Sequence, residues 1–182
     1  MNAALLLVDI QNDYFPGGAM EVVGATAAGE QAARLLAAFR ERARPVIHVQ
    51  HIATRPGATF FLPDTKGAEI HAAVRPGPGE PVFQKHFPNS FRETPLLQHL
   101  RDAGITQLVI AGMMTHMCID TTTRAAADLG FACSLAHDAC ATRALTFGGT
   151  QVPAESVQVA YLAALNGLFA KVRSTGDLLA EF

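Results

Sequence analysis

The segment Ala3-Ala4-Leu5-Leu6-Leu7-Val8 is an unbroken apolar run that ends on an acid, Asp9. A strand with one wet face alternates apolar and polar residues. A run without alternation suits a strand covered on both faces, as in the middle of a parallel sheet. Parallel neighbours need crossover connections, so such a strand requires helices to follow it in alternation with further strands.

The chain supplies them. Residues 24–43 carry apolar side chains at helical spacing (Ala28, Ala32, Leu35, Leu36, Phe39), with Arg42 and Arg44 near the C-terminal end and Pro45 as a stop. Residues 45–51 read as the second strand, and Val82 to Gln84 as a short third one. Thr94-Pro95 opens a helix that ends at Gly104. Leu108 to Gly112 is another buried strand, residues 117–129 a helix closed by Gly130, and Phe131 to His137 the next strand. Pro153 starts a helix running to Asn166, Ala170 to Arg173 suits an edge strand, and Ser174 with Asp177 caps a terminal helix. Residues 52–81, rich in Pro and Gly, are predicted to be irregular, with Phe60-Phe61-Leu62 packed against something. The expected architecture is α/β: a single domain over residues 1–182 with an open, mostly parallel, six-stranded sheet and helices on both faces.

At 182 residues and 49% apolar the chain can bury a substantial core. A formal charge of -2 without a basic cluster argues against nucleic acid and anionic membranes as partners. The start lacks a signal-peptide pattern, and the three cysteines form no disulfide framework, so a reducing cytoplasm is expected.

Ligands on open α/β sheets bind at the carboxyl ends of the strands. Three reactive residues fall there: Asp9 after the first strand, Lys85 after the third, and Cys118 just past the fourth, where a helix begins. Asp9 alone would read as a loop cap and Lys85 alone as a solvated lysine; their conjunction with a cysteine suggests chemistry. A helix N-terminus and a nearby ammonium both favour the thiolate, which makes Cys118 a candidate nucleophile. Cys133, on a strand, and Cys140, in a turn, read as buried fillers.

The blocks Leu6-Leu7-Val8-Asp9-Ile10-Gln11-Asn12-Asp13-Tyr14-Phe15-Pro16-Gly17-Gly18, Lys85-His86-Phe87-Pro88-Asn89-Ser90-Phe91 and Gly112-Met113-Met114-Thr115-His116-Met117-Cys118 resemble, in this order, those of the isochorismatase-like cysteine hydrolases. That superfamily includes nicotinamidases, N-carbamoylsarcosine amidase and streptothricin-hydrolase-like members. The resemblance implies a Rossmann-like sheet, Asp9 as general base and proton shuttle, Lys85 as the cation joining Asp9 to Cys118, and Cys118 as the nucleophile. It also implies a cis peptide between Met113 and Met114, and an oxyanion hole formed by the amides of Met114 and Cys118. The implied activity is hydrolysis of a C–N bond in a small amide, imide, lactam or carbamoyl compound through a thioester.

The nicotinamidase metal stretch is not reproduced. His48 and His51 are an odd number of residues apart on a strand and face opposite ways, so no metal and no cofactor are expected. Isochorismatases that cleave a vinyl ether need no cysteine at the nucleophile position, and Cys118 argues against that chemistry. A non-catalytic binding module and a thiol-redox protein are the alternatives from other classes; the second would normally use a resolving cysteine, and none is suitably spaced. His116 is read as a loop or subunit-contact residue. Phe15, Asn89, Phe60 and Phe91 are candidate substrate contacts. A homodimer or homotetramer is expected from the resemblance, the mean hydropathy of +0.20 and the aromatic 52–81 segment.

Overall fold

The computed structural model describes residues 2–181. Among them the strands are β1 (Ala3–Val8), β2 (Val46–His51), β3 (Val82–Lys85), β4 (Gln107–Met113), β5 (Ala132–Ala141), β6 (Leu145–Phe147), β7 (Thr150–Val152) and β8 (Lys171–Arg173). The helices are α1 (Ala25–Glu41), α2 (Leu96–Asp102), α3 (Asp120–Asp128), α4 (Ala154–Leu165) and α5 (Thr175–Ala180). Six strands form one sheet in the order β3-β2-β1-β4-β5-β8, every adjacent pair parallel. The expected fold class is the observed one.

All six residues of β1 are buried, and its period-two geometry divides them between two cores. Leu5 and Leu7 join the cluster made with Ala28, Ala32, Leu35, Leu36 and Phe39 of α1 and Leu178 of α5. Ala4, Leu6 and Val8 join the opposite cluster with Leu96 and Leu100 of α2, Ala126 of α3 and Leu165 of α4. Each leucine buried in this way stabilises the fold by roughly 1.5–3 kcal/mol. From β1 the chain builds outward through β2 to β3, then returns to place β4 on the other side of β1. That reversal opens a crevice beyond the carboxyl ends of β1 and β4.

The sequence reading needs three corrections. β5 runs on to Ala141, so Cys140 lies on a strand and not in a turn. Asp138, which interrupts the apolar pattern, is accommodated because its Oδ1 accepts from the Thr175 amide and hydroxyl, both at 2.8 Å. The glycines Gly148 and Gly149 turn an antiparallel hairpin, β6–β7, that stands apart from the main sheet. The segment before α3 is a wide π-type turn, Thr115–Ile119, with Cys118 inside it rather than in a regular first α-turn.

Residues 52–81 lack long elements, as anticipated, but their apolar side chains cover their own chain's core: Phe61 and Val74 are buried in the α1-side cluster. The end of this segment is fixed by Glu80, whose carboxylate accepts from Arg40 at 2.7 and 2.8 Å and contacts His48 Nε2 at 2.8 Å. Leu62 of this segment is exposed, and Val159 of α4, Phe147 of the hairpin and Leu168 lie largely in solvent. No described helix is long and apolar enough to cross a membrane.

Candidate active site

Asp9 leaves β1 with φ of +53° and its amide donates to Val49 O at 3.0 Å, which turns its carboxyl into the crevice. Lys85 is the last residue of β3 and pairs in register with His51, the last of β2. Because β2 lies between β3 and β1, Lys85 must reach across two strand spacings of about 4.8 Å each to meet Asp9. A long side chain is required, and Lys85 is wholly buried along the way. Cys118 arrives from β4 through the Met113–Met114 peptide, which is cis, and the π-type turn.

The three side chains converge. Lys85 Nζ lies 2.7 Å from Asp9 Oδ2 and donates to Cys118 Sγ at 3.2 Å and to Phe87 O at 3.0 Å. Asp9 is wholly buried, Cys118 nearly so, and the sulfur lies within 4.8 Å of the Asp9 carboxylate. Asp9 Oδ1 has no hydrogen-bond donor among the described residues, so it is available to the thiol proton.

Burial is the main reason that the Cys118 pKa is raised, and the neighbouring Asp9 charge adds to it; the Lys85 ammonium opposes both and does not prevail. The ammonium acts in the direction expected from the sequence, but the net shift is upward. A raised pKa disfavours the thiolate, the form in which a sulfur attacks. For Lys85, burial lowers the pKa, but Asp9 and then Cys118 raise it further, so the net shift is upward and the ammonium is held. Cys133 and Cys140 are pushed up to about 11 and about 12 by burial, consistent with inert fillers.

His51 is the participant that the sequence reading missed. Its Nδ1 is 3.0 Å from Lys85 Nζ, and with Asp9 and Cys118 it forms a cluster of potential metal ligands. The Lys85 ammonium contacts all three, so a metal ion would have to displace it. The alternation rule does separate the two histidines: His48 turns to Glu80 and His51 to the crevice. Burial first, and then the Lys85 charge, lower the His51 pKa to about 4.

A histidine at about 6.5 in the unfolded chain and about 4 in the fold binds its proton more readily when unfolded. Stability therefore rises with pH through that window and is lost as pH falls through it. Between pH 7 and 4.5 the wild type should lose about 2 kcal/mol more than His51→Gln in urea unfolding. Equal losses in the two proteins would remove His51 from this account.

Above the sulfur is a cavity of about 160 Å³. Tyr14, Phe60, Phe61, Pro88, Met114 and Met117 form apolar walls, with His51, His86 and Arg55 among the polar groups. Of the expected substrate contacts Phe60 lines it, and three do not. Phe15 is buried with its ring stacked on His71 at 3.5 Å, Phe91 stacks on Phe131 in the opposite core, and Asn89 Oδ1 accepts from the Phe91 amide to close a turn. Each side chain has been drawn into its own chain's packing. His116 points away from the sulfur, with Nδ1 2.6 Å from Thr142 Oγ1.

Two further residues build the site without entering it. Gln11, wholly buried, clamps the end of β2 by accepting from the His51 amide and donating to His51 O, each at 2.8 Å, and also donates to Ala68 O. Asp13 Oδ2 accepts from the Phe61 amide at 2.6 Å and Oδ1 from the Ala19 amide at 3.1 Å. These bonds hold the aromatic loop against the cavity. Both residues stand in the first quoted block, and a buried polar side chain beside a strand end was the signal available for them.

The family model for the Isochorismatase domain matches residues 3–177. The chain belongs to the isochorismatase family. This member is 50% identical over 179 residues to the isochorismatase family protein YddQ of Bacillus subtilis, covering 98% of this chain and 99% of that one. It is 30% identical over 174 residues to the nicotinamidase of Escherichia coli, covering 75% and 82%. Among solved structures, an isochorismatase hydrolase from Oleispira antarctica superposes with a TM-score of 0.95 at 52% identity, covering 98% of this chain and 96% of that one. The isochorismatase-family fold is thus shared with the Oleispira protein over essentially its full length.

Proposed function

We propose that this isochorismatase-family protein hydrolyses a C–N bond of a small molecule through a thioester on Cys118. The carrying observation is the single buried ammonium, Lys85 Nζ, that touches Asp9 at 2.7 Å and Cys118 at 3.2 Å beneath an apolar cavity. The similarity to a nicotinamidase supports the amide class.

In this reading Asp9 accepts the Cys118 proton as the sulfur attacks the carbonyl carbon, and the amides of Met114 and Cys118 stabilise the oxyanion. Collapse of the tetrahedral adduct breaks the C–N bond, and Asp9 returns the proton to the departing nitrogen. Water, losing a proton to the same carboxylate, then adds to the thioester and releases acid and thiol. The upward shift of the thiol pKa supports a role for such a base. No step calls on a metal or cofactor.

The test is ammonia release from a panel of small amides and ureas, with intact-mass detection of an acyl adduct. Cys118→Ala should lower turnover at least ~10³-fold and abolish the adduct while leaving the melting temperature close to that of the parent. Turnover within a tenth of the parent would refute the nucleophile. We also propose a homo-oligomer, with α4 and the β6–β7 hairpin as its interface because Val159 and Phe147 are exposed there. Light scattering should give a mass at least twice 19.3 kDa; a monomer at micromolar concentration would overturn that.

A further inference from the structure

A thioester is hydrolysed by a water held beside it, and the hydrogen-bond donors around Cys118 are few. An ammonium has three hydrogens. Lys85 Nζ sets them against four acceptors: Asp9 Oδ2 at 2.7 Å, His51 Nδ1 and Phe87 O at 3.0 Å, and Cys118 Sγ at 3.2 Å. None remains for a water. The ionised Asp9 carboxylate can only accept.

His51 has a donor to offer. Because an ammonium can only donate, His51 Nδ1 accepts from it, and the neutral ring carries its hydrogen on Nε2. Burial and then the Lys85 charge favour that neutral ring. The imidazole lines the cavity, and Nε2 has no hydrogen-bond partner among the described residues. The residue is fixed from several sides: Gln11 binds its amide and its carbonyl, each at 2.8 Å, and the Phe61 ring lies 5.8 Å from the imidazole.

The spacing suits one water. Asp9, His51 and Cys118 each present a side-chain O, N or S atom, and these atoms all lie within 4.8 Å of one another. A water oxygen at hydrogen-bond distance from two atoms can bridge up to roughly 5.6 Å between them. A single oxygen can therefore touch Asp9 and His51 together and still lie against the sulfur. Asp9 Oδ1, wholly buried and without a donor of its own among the described residues, is free to accept from that water once the thiol proton has left with the amine.

We propose that His51 is a catalytic residue of thioester hydrolysis: its Nε2–H donates to the attacking water while Asp9 Oδ1 accepts one of the water's hydrogens, which leaves an oxygen lone pair for the acyl carbon. This deepens the hydrolase reading and rests on its thioester. The water oxygen bonds to the acyl carbon as its proton passes to Asp9. Collapse then breaks the C–S bond, the sulfur takes that proton back, and the acid is released. His51 neither gains nor loses a proton; it orients the nucleophile.

The experiment uses 4-nitrophenyl acetate, which acylates a thiol directly, and follows 4-nitrophenolate release together with the intact mass of the protein, with Cys118→Ala as the blank. The parent should give a burst, as Cys118 is acylated, and then a slower release set by water. His51→Phe should keep the burst rate within about threefold but slow the later release at least about tenfold, so that the acetyl adduct accumulates. His51→Ala, which adds no bulk, carries the same expectation, and His51→Gln, which retains an N–H donor, should recover part of the loss. Hydroxylamine attacks the adduct without needing to be held, so it should discharge the parent and His51→Phe at rates within about threefold of each other. The proposal is overturned if His51→Phe or His51→Ala deacylates at the parental rate. It is also overturned if burst and later release fall in equal proportion, since His51 would then act only through Lys85. A burst and an adduct missing from parent and variants alike would overturn the thioester reading itself, and this proposal with it.

Discussion

Lys85→Met should unfold with a stability about 3–5 kcal/mol below that of the parent and turn over at least ~10³-fold more slowly. Methionine nearly matches the lysine stem in volume, so packing is largely kept and the change is electrostatic. What it removes is the cation 2.7 Å from a wholly buried carboxylate. Its nearest relief is to bind a proton, and a carboxylic acid cannot accept the one that Cys118 must lose. Stability and catalysis thus fall for the same reason, which a second substitution can expose. Asp9→Asn in the Lys85→Met background removes the stranded charge, so the double variant should regain most of the lost stability and none of the turnover. Equilibrium denaturation of the two single variants and the double one gives the coupling directly. A Lys85→Met protein within 1 kcal/mol of the parent would show that the pair contributes little, and turnover within tenfold would remove Lys85 from the chemistry.

The same contacts explain why the Cys118 pKa is raised. One ammonium shared among a carboxylate, a thiol and an imidazole neutralises one negative charge, and Asp9 already supplies it. A second anion at Cys118 in the absence of substrate would be buried without a counter-charge of its own. Coupling proton removal to carbon–sulfur bond formation avoids that state. In the proposed mechanism, burial of the site would thereby confine the nucleophile to moments when a carbonyl is present.

How much of this could be read from the residues follows from the range of the forces concerned. β1 was legible because burial on both faces leaves a local mark, the apolar run, and α1 because its stripe repeats every three to four residues. Asp9, Lys85 and Cys118 were legible as strand-end residues, and the quoted blocks implied roles for them by resemblance. His51 was not, since its importance comes from register: it becomes a site residue only because β3 pairs with β2 so that His51 and Lys85 are level. Phe15, Asn89 and Phe91 were misread for the converse reason. A loop aromatic beside a motif can face the ligand or the core, and His71 and Phe131, distant in sequence, decided for the core.

Gly112→Ala should cost at least about 4 kcal/mol, lowering the melting temperature by ~10 °C or more, and the soluble fraction should fall with it. Gly112 has φ of +141°, where a side chain is strained, and a Cβ there would meet Val8 O at 1.9 Å and Val8 C at 2.8 Å. Both clashes are with the backbone of β1, the strand paired with β4 at that point, so no side-chain rotation can relieve them. The strands must separate, and the residues carried on the two sides of the gap are Asp9 on one and Met113 on the other. Turnover of whatever folds should therefore fall along with stability. Gly176→Ala in α5 provides the contrast: its Cβ would meet only Ser174 Oγ, at an ordinary 3.7 Å, and the helix should gain up to ~1 kcal/mol. Calorimetry on the two variants compares a glycine required by close approach with one that is merely tolerated. A Gly112→Ala protein that melts with the parent would mean that β1 and β4 can part without cost, and the crevice would lose its claim to a rigid floor.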